Sequence, residues 1–438
     1  MKDDRKGETI RSFMSELSGM RRGGSSEDPK PHKLIMILSV VDLIDRGAIC
    51  GNRILFGAEL VRQFEANFRS YAGPGDWCQP GPPFFHLRTA DFWKHKVRDG
   101  RQAEYGKIKR VGGSTQLITD NVDYAYLRED IFEMLSCEDS RSEVRRQILR
   151  LLEEEEAASL GGPGSRLKVA FHETFSLVRP AIAQVVKVSA EHEESGGSTR
   201  LSRDEIARKT SLGPNYVRAV PRWAYGTGLL GPNYHLTEFG RSVWRKDPSL
   251  TSVAVLWSMH YHMAAPQGPG PSFWHHLVSG QLRPGDTLET SRIASAIGNH
   301  IEEHDSQKAA ERTLLAAASV FLGTYSRSDG LGPLGLLEQV EAGKYLVKEP
   351  EPPSLWVFAY VLADYWRANW GEVPGVNLGQ VTEPGGPGAL LLMGSGTVNR
   401  YLGEMQSAGF AVVQRRSPPF QVNRNWSSSS QFLERLYD

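Results

Sequence analysis

Residues 201–240, LSRDEIARKT SLGPNYVRAV PRWAYGTGLL GPNYHLTEFG, decide how this chain is read. Ser202 stands three residues before Glu205, the spacing of a capping box, and Leu201 with Ile206 occupies the hydrophobic-staple positions. A helix therefore starts at 203 and runs to about Thr210. The turn Ser211-Leu212-Gly213 leads into a second helix beginning at Pro214, where a proline suits the first turn. Leu229 to Leu236, with Gly231-Pro232-Asn233 in its middle, then reads as a two-stranded wing. Helix, turn, helix and hairpin sum to a winged helix. Its second helix is expected to present Asn215, Tyr216, Arg218 and Arg222 to solvent, with Val217, Val220 and Ala224 inward. Such residues can read base edges in a major groove, although Pro221 inside the helix removes a hydrogen bond. Winged helices also bind proteins, and that alternative stays open.

Outward from this stretch the chain divides by composition. Its 438 residues are enough for two to four domains. The 51 Lys and Arg cancel the 51 Asp and Glu, which excludes a globally polybasic nucleic-acid wrapper and leaves room for a basic face on one domain. Three cysteines, Cys50, Cys78 and Cys137, without a CxxC, argue against a disulfide framework or a thiolate zinc site and fit a cytoplasmic location. The longest strongly apolar stretch, Leu34 to Val41, is far short of a membrane span, and no membrane association is expected.

Residues 1–27 read as a polar lead-in, 28–160 as one domain, 167–247 as the winged-helix domain and 248–438 as a helical C-terminal region. Helices are predicted from about Pro31 to Arg46, stopped at Gly47, and from Gly57 to Tyr71. Asp28 is a candidate cap for the first. Strand-like pieces follow at Phe84 to Leu87, Phe92 to Val97 and Gly106 to Ile118, then helices from about Asp123 to Cys137 and Arg141 to Glu156. Beyond residue 248, Asp305 is expected to cap a helix to Leu322, Pro353 to open one through Trp370, and Ser395 or Thr397 to open one through Ser407. The last runs into Phe410 to Arg416 and Phe420 to Arg424, a helix-then-hairpin order that predicts a second winged-helix-like unit. The fold class expected is α+β, mainly helical.

The segment from His86 to Arg110 carries eight Lys and Arg against three acids, among them Arg88, Lys94 and Lys96, interleaved with Phe92, Trp93 and Tyr105. Strand alternation would turn the aromatics inward and the cations outward, where they can neutralise phosphates. An ordinary solvated face over an aromatic core is the competing reading.

Three motifs could carry catalysis, each beside a plainer structural reading, and His260, His262, His300 or His304 would build the site of an atypical metal hydrolase. His300-Ile301-Glu302-Glu303-His304 has the spacing of inverted zinc proteases. The run from Leu390 to Gly396 resembles the opening of a dinucleotide fingerprint but has Asn399 in place of the third glycine. His260 and His262 with His275 and His276 could serve acid–base work or a metal, yet suit a packed helix pair. Phosphate-loop and nucleophile-elbow motifs are missing, so no cofactor, no metal and no catalytic residue is expected.

Two resemblances cover most of the chain. Pro31-His32-Lys33 through Leu43, then Asn52-Arg53-Ile54, Phe64, Pro83-Phe84-Phe85-His86-Leu87 and Asp91-Phe92-Trp93 resemble the sulfur-binding domain found ahead of HNH nucleases in bacterial restriction proteins. That resemblance implies binding of double-stranded DNA in which a phosphate oxygen is replaced by sulfur. Sulfur is larger, more polarisable and less hydrated than oxygen, so an apolar cup can prefer it while cations hold the phosphate charge. The matching cup is Pro82, Pro83 and Phe84, where the family commonly has Tyr-Pro-Phe, and Lys30, His32 or Arg88 would supply the cation. Phe171-His172-Glu173-Thr174-Phe175, Arg179, Leu212-Gly213-Pro214-Asn215, Trp223, Leu236 to Gly240, Asp247-Pro248 and Leu256 to His262 are similar to the domain-of-unknown-function family 4007. Members of that family sit beside PAPS-reductase-like and DNA-phosphorothioation genes. Together the resemblances imply a DNA-binding component of a phosphorothioation-linked antiviral defence system, working with separately encoded enzymes. An atypical nuclease or metal hydrolase, and a protein-docking scaffold for a reductase-like enzyme, are the alternatives; a homo-oligomer is compatible with either.

Overall fold

Leu34, Ile35, Met36, Ile37 and Leu38 are all inaccessible to solvent, so the helix they form is buried around most of its circumference rather than along one stripe. The computed structural model describes residues 2–20, 30–72, 77–111, 115–160, 166–197, 200–305, 308–382, 385–416 and 418–438. They form two units, Met1–Ser159 and Leu160–Asp438. Both are mainly helical with small antiparallel sheets.

In the first unit the helices are α1 (Lys2–Ser18), α2 (His32–Asp45), α3 (Ala58–Tyr71), α4 (Gly81–His86), α5 (Gln102–Lys107), α6 (Gln116–Asn121), α7 (Glu129–Ser136) and α8 (Glu138–Leu160). Strands β1 (Trp93–Val97) and β2 (Val122–Leu127) pair antiparallel. The polar lead-in is corrected: α1 sends Phe13 and Leu17, both fully buried, into the core, and Phe13 meets Phe92 edge-on at 5.1 Å. The Asp28 cap lies outside the described residues. Gly47 stops α2 in the left-handed region, φ 69°, as its position predicts.

Three further readings are overturned. The described residues of Gly106 to Ile118 hold the end of α5 and the start of α6 and no strand. Phe84 to Leu87 is helical, because Pro82 and Pro83 fall in the first turn of α4, where proline's fixed φ suits a helix and its missing N–H costs nothing. Val122–Leu127 is a strand rather than a helix start, with a bulge at Asp123 beyond which Tyr124 and Tyr126 face outward and Ala125 and Leu127 inward.

The second unit opens with α9 (Arg179–Glu194), α10 (Arg203–Lys209), α11 (Pro214–Gly226), α12 (Glu238–Lys246), α13 (Val253–Ala264) and α14 (Ser272–Gln281). The Ser202 hydroxyl accepts from the Glu205 N–H at 3.1 Å, and Leu201 and Ile206 are buried beneath it. Helix α11 begins at Pro214 and continues through Pro221. Where two wing strands are expected, one bridge joins Leu230 to Leu236.

Beyond lie β3 (Thr287–Glu289), α15 (Thr290–His304), α16 (Glu311–Ser326), β4 (Leu337–Glu341), β5 (Lys344–Val347) and α17 (Leu355–Trp370). Then come β6 (Gly375–Asn377), α18 (Leu378–Thr382), α19 (Pro387–Leu390), α20 (Ser395–Ser407), β7 (Ala411–Gln414) and β8 (Gln421–Arg424). The sheets run β3-β5-β4 and β6-β8-β7. Asp305 ends α15 instead of opening the next helix, which starts at Glu311. Helix α20 followed by the β7–β8 hairpin keeps the helix-then-hairpin order, with β6 added to the far side of β8. Among the described residues no helix is long and apolar enough to cross a membrane.

Candidate nucleic-acid interface

Strand β1 reads Trp-Lys-His-Lys-Val, and the pleat turns Trp93 and His95 inward while Lys94 and Lys96 face solvent. Across the ladder Lys94 stands opposite Tyr126 and Lys96 opposite Tyr124. On the other edge of β2, Ile54 and Ala125 exchange both backbone hydrogen bonds, at 2.7 and 2.9 Å. That bridge buries Ile54 and leaves its neighbours Arg53 and Leu55 on the outer side. The result is one exposed face three backbone segments wide, carrying Arg53, Leu55, Lys94, Lys96, Tyr124 and Tyr126. Arg53 lies over the Tyr124 ring at 5.1 Å, and the two tyrosine rings meet edge-on at 6.3 Å. Leu55 is 64% exposed, a large apolar side chain at one edge of this face. Lys94 has the acid Asp91 at 3.7 Å, and Asp91 is itself 92% exposed, so the pair is solvent-screened.

Behind this face is an aromatic layer that fixes it. The Trp93 indole N–H donates to His95 Nε2 at 3.2 Å, and His95 Nδ1 lies 2.9 Å from the Tyr105 hydroxyl. Burial pushes the His95 pKa down to about 4, so the ring is a neutral spacer under the lysines at neutral pH.

The expected cup is not open. Pro83 and Phe84 are buried, and the Phe84 ring is packed by Phe56, Trp93 and His95, the last stacked at 5.3 Å. Pro82 is half-buried. The physical reason is the helical turn of α4, which rotates residues 83–85 into the core. Arg88 is turned inward as well, over the Phe85 ring at 4.0 Å and donating to the Ile108 carbonyl at 2.8 Å. Lys30 and His32 are half-buried at the start of α2, with His32 edge-on to Phe68.

In the second unit Asn215 is exposed, but Arg218 and Arg222 are 7% and 4% exposed, which corrects the expectation that they face solvent. Both donate to the Glu173 carboxylate, at 2.8 and 3.0 Å. The histidines considered for chemistry are also accounted for. His260 Nδ1 lies 2.8 Å from the Tyr325 hydroxyl and its Nε2 2.7 Å from the Leu390 carbonyl. His276, His300 and His304 stack face to face with centroids 4.7 and 4.5 Å apart, an arrangement of rings rather than of converging lone pairs. Among the described residues no three His, Cys, Asp or Glu side chains are grouped to hold a metal ion.

The sequence places Lys94 and Lys96 on an exposed strand face, as observed, but does not place Arg53, Leu55, Tyr124 and Tyr126 beside them. Strict alternation from Val122 puts both tyrosines on the buried face with it, and it is the bulge at Asp123 that turns them outward.

Comparison with curated proteins gives no match. Among solved structures, a magnesium-ion-bound SspB crystal structure is similar with a TM-score of 0.50 and 18% identity, over 61% of this chain and 86% of that one. A second SspB crystal structure is similar with a TM-score of 0.47 and 17% identity over the same shares. At such identity the likeness speaks for the fold alone. Residues 169–437 match the family model described as a protein of unknown function, DUF4007, and the chain belongs to that family.

Proposed function

We propose that this protein is a DNA-binding component of a phosphorothioation-linked bacterial defence system, acting in the cytoplasm with separately encoded enzymes. The observation that carries the DNA-binding part is the outer face of the β1–β2 ribbon, which Arg53, Lys94 and Lys96 share with Leu55, Tyr124 and Tyr126. Cations at strand spacing neutralise phosphates, and exposed apolar groups between them offer contact to sugars, bases or a poorly hydrated sulfur. The link to phosphorothioation rests on the two family resemblances. Since Phe84 and Pro83 are occupied by the core, sulfur preference in this reading belongs to Leu55 and Tyr126, not to the proline cup. Helix α11 contributes at most its exposed end at Asn215.

The test is a binding titration of the full chain against one duplex, prepared with and without a single sulfur substitution, over a series of salt concentrations. The expected result is affinity that falls steeply with salt and is higher for the sulfur-bearing duplex. Equal affinity for both duplexes overturns the sulfur part, and binding insensitive to salt overturns the DNA part.

A further inference from the structure

The second unit holds a cavity of about 520 Å³ between the Gly228 loop, the end of α13 and α17, which the DNA-binding reading leaves unused. Its size is that of sites for small organic ligands, roughly 300–1,000 Å³. Four aromatic residues, Tyr225, Phe239, Tyr261 and Tyr360, contribute to its walls. Phe239 stacks on Tyr360 at 5.8 Å and lies 5.3 Å from the His262 ring, so these rings brace one another. His262 Nε2 is 2.8 Å from the Tyr360 hydroxyl.

Among these rings sits a carboxylate. Asp364 Oδ2 accepts from the Tyr261 hydroxyl at 2.9 Å, while Oδ1 has only longer contacts, to Arg367 at 3.3 Å and Ser429 at 3.5 Å. The Asp364 side chain is 19% exposed and that of Arg367 is 66% exposed, so the guanidinium is mostly in water and the carboxylate mostly is not. Glu238 lines the same cavity. Burial raises the Tyr261 and Tyr360 phenols well above their ordinary range and lowers the His262 imidazole, so all three are neutral at pH 7. Formal charge in the lining is therefore two carboxylates against one guanidinium.

We infer that this cavity binds a small organic cation, an amine or guanidinium on an aliphatic body, with its charged head at Asp364 and its stem against the tyrosine and phenylalanine rings. Aromatic faces attract cations, and a partly desolvated carboxylate strengthens that preference. An anion such as a nucleotide phosphate meets Asp364 and Glu238 and is repelled.

Calorimetric titration of the full chain, freed of nucleic acid and held at about 0.15 M salt, tests this with agmatine as probe. The peptide Gly-Arg-Gly, adenosine monophosphate and magnesium chloride form parallel arms. Agmatine is expected to bind one to one, and Asp364→Asn to weaken it at least about tenfold. Ala368→Trp, which adds bulk at an exposed lining position one helical turn beyond Asp364, is expected to weaken it too. Equal binding of Gly-Arg-Gly assigns the site to a basic side chain of a partner instead of a free amine. No agmatine binding up to about 10 mM, binding unchanged in both variants, or preferential binding of the nucleotide or of magnesium overturns the inference. Because the assay contains no DNA, its failure leaves the reading of the ribbon face untouched.

Discussion

Glu173 and Arg218 form an ion pair in which the arginine is buried and the glutamate half-buried, the guanidinium donating to the carboxylate at 2.8 Å across 45 residues of sequence. Arg222 joins the same carboxylate oxygen at 3.0 Å and reaches the Phe171 carbonyl at 3.3 Å. Glu173 holds this position with φ 47° and Thr174 with φ 71°, both in the left-handed region that side chains disfavour. The cluster thus fixes the segment before α9 against α11.

Glu173→Gln keeps the shape and removes the charge that two buried guanidiniums share. Breaking a buried pair from one side costs about 3–5 kcal/mol. The urea midpoint of the full chain should fall accordingly, and DNA affinity at temperatures where the variant is folded should not. An unchanged midpoint with lost DNA binding would show that the arginines face the nucleic acid after all.

Lys94→Ala and Lys96→Ala should each weaken duplex binding and lower the slope of log affinity against log salt by about 0.9, one phosphate contact apiece. Neither lysine packs in the core, so stability should stay within about 0.5 kcal/mol of the parent. A salt slope identical to that of the parent in the double variant would remove the ribbon face from the interface.

Gly228 has φ 75°, and a Cβ there would come within 2.4 Å of the His262 ring. Gly228→Ala should therefore cost about 1–3 kcal/mol from overpacking beyond the backbone strain. Gly335, with φ 70° and nothing within 4 Å of an added Cβ, supplies the strain alone, about 1 kcal/mol. Equal losses of stability in the two alanine variants would mean that the contact with His262 yields freely.

What could be read from the sequence was local chemistry. The Ser202–Glu205 cap, the Pro214 start of α11 and the Gly47 stop of α2 each depend on residues a few positions apart. The alternation of Lys94 and Lys96 with Trp93 and His95 is equally local. What could not be read depends on distant partners. Arg218 and Arg222 look like solvent-facing readers until Glu173 is placed beside them. Phe84 looks like a cup until Trp93 and His95 close over it. The ribbon face needs Ile54 to bridge Ala125, a pairing across 71 residues that no periodicity in either segment announces.

His260 and His172 give the fold a pH dependence whose sign follows from burial. Each has its pKa pushed down to about 4, chiefly because the interior disfavours the charged ring. In the unfolded chain the same rings titrate near 6.5. Between those values the unfolded state takes up protons that the native state refuses, so stability falls as pH falls. The contribution is complete above about pH 6.5 and is lost progressively toward pH 4, on the order of 3 kcal/mol for each ring. His260 is the cleaner probe, being fully inaccessible and held between the Tyr325 hydroxyl and the Leu390 carbonyl. Imidazole nitrogen NMR at about pH 5.5 should find it neutral while the protein is folded, with urea midpoints already lower than at about pH 7.5. A charged His260 ring in the folded protein at that pH would contradict the buried network that α13 shares with Trp274, Tyr325 and Leu390.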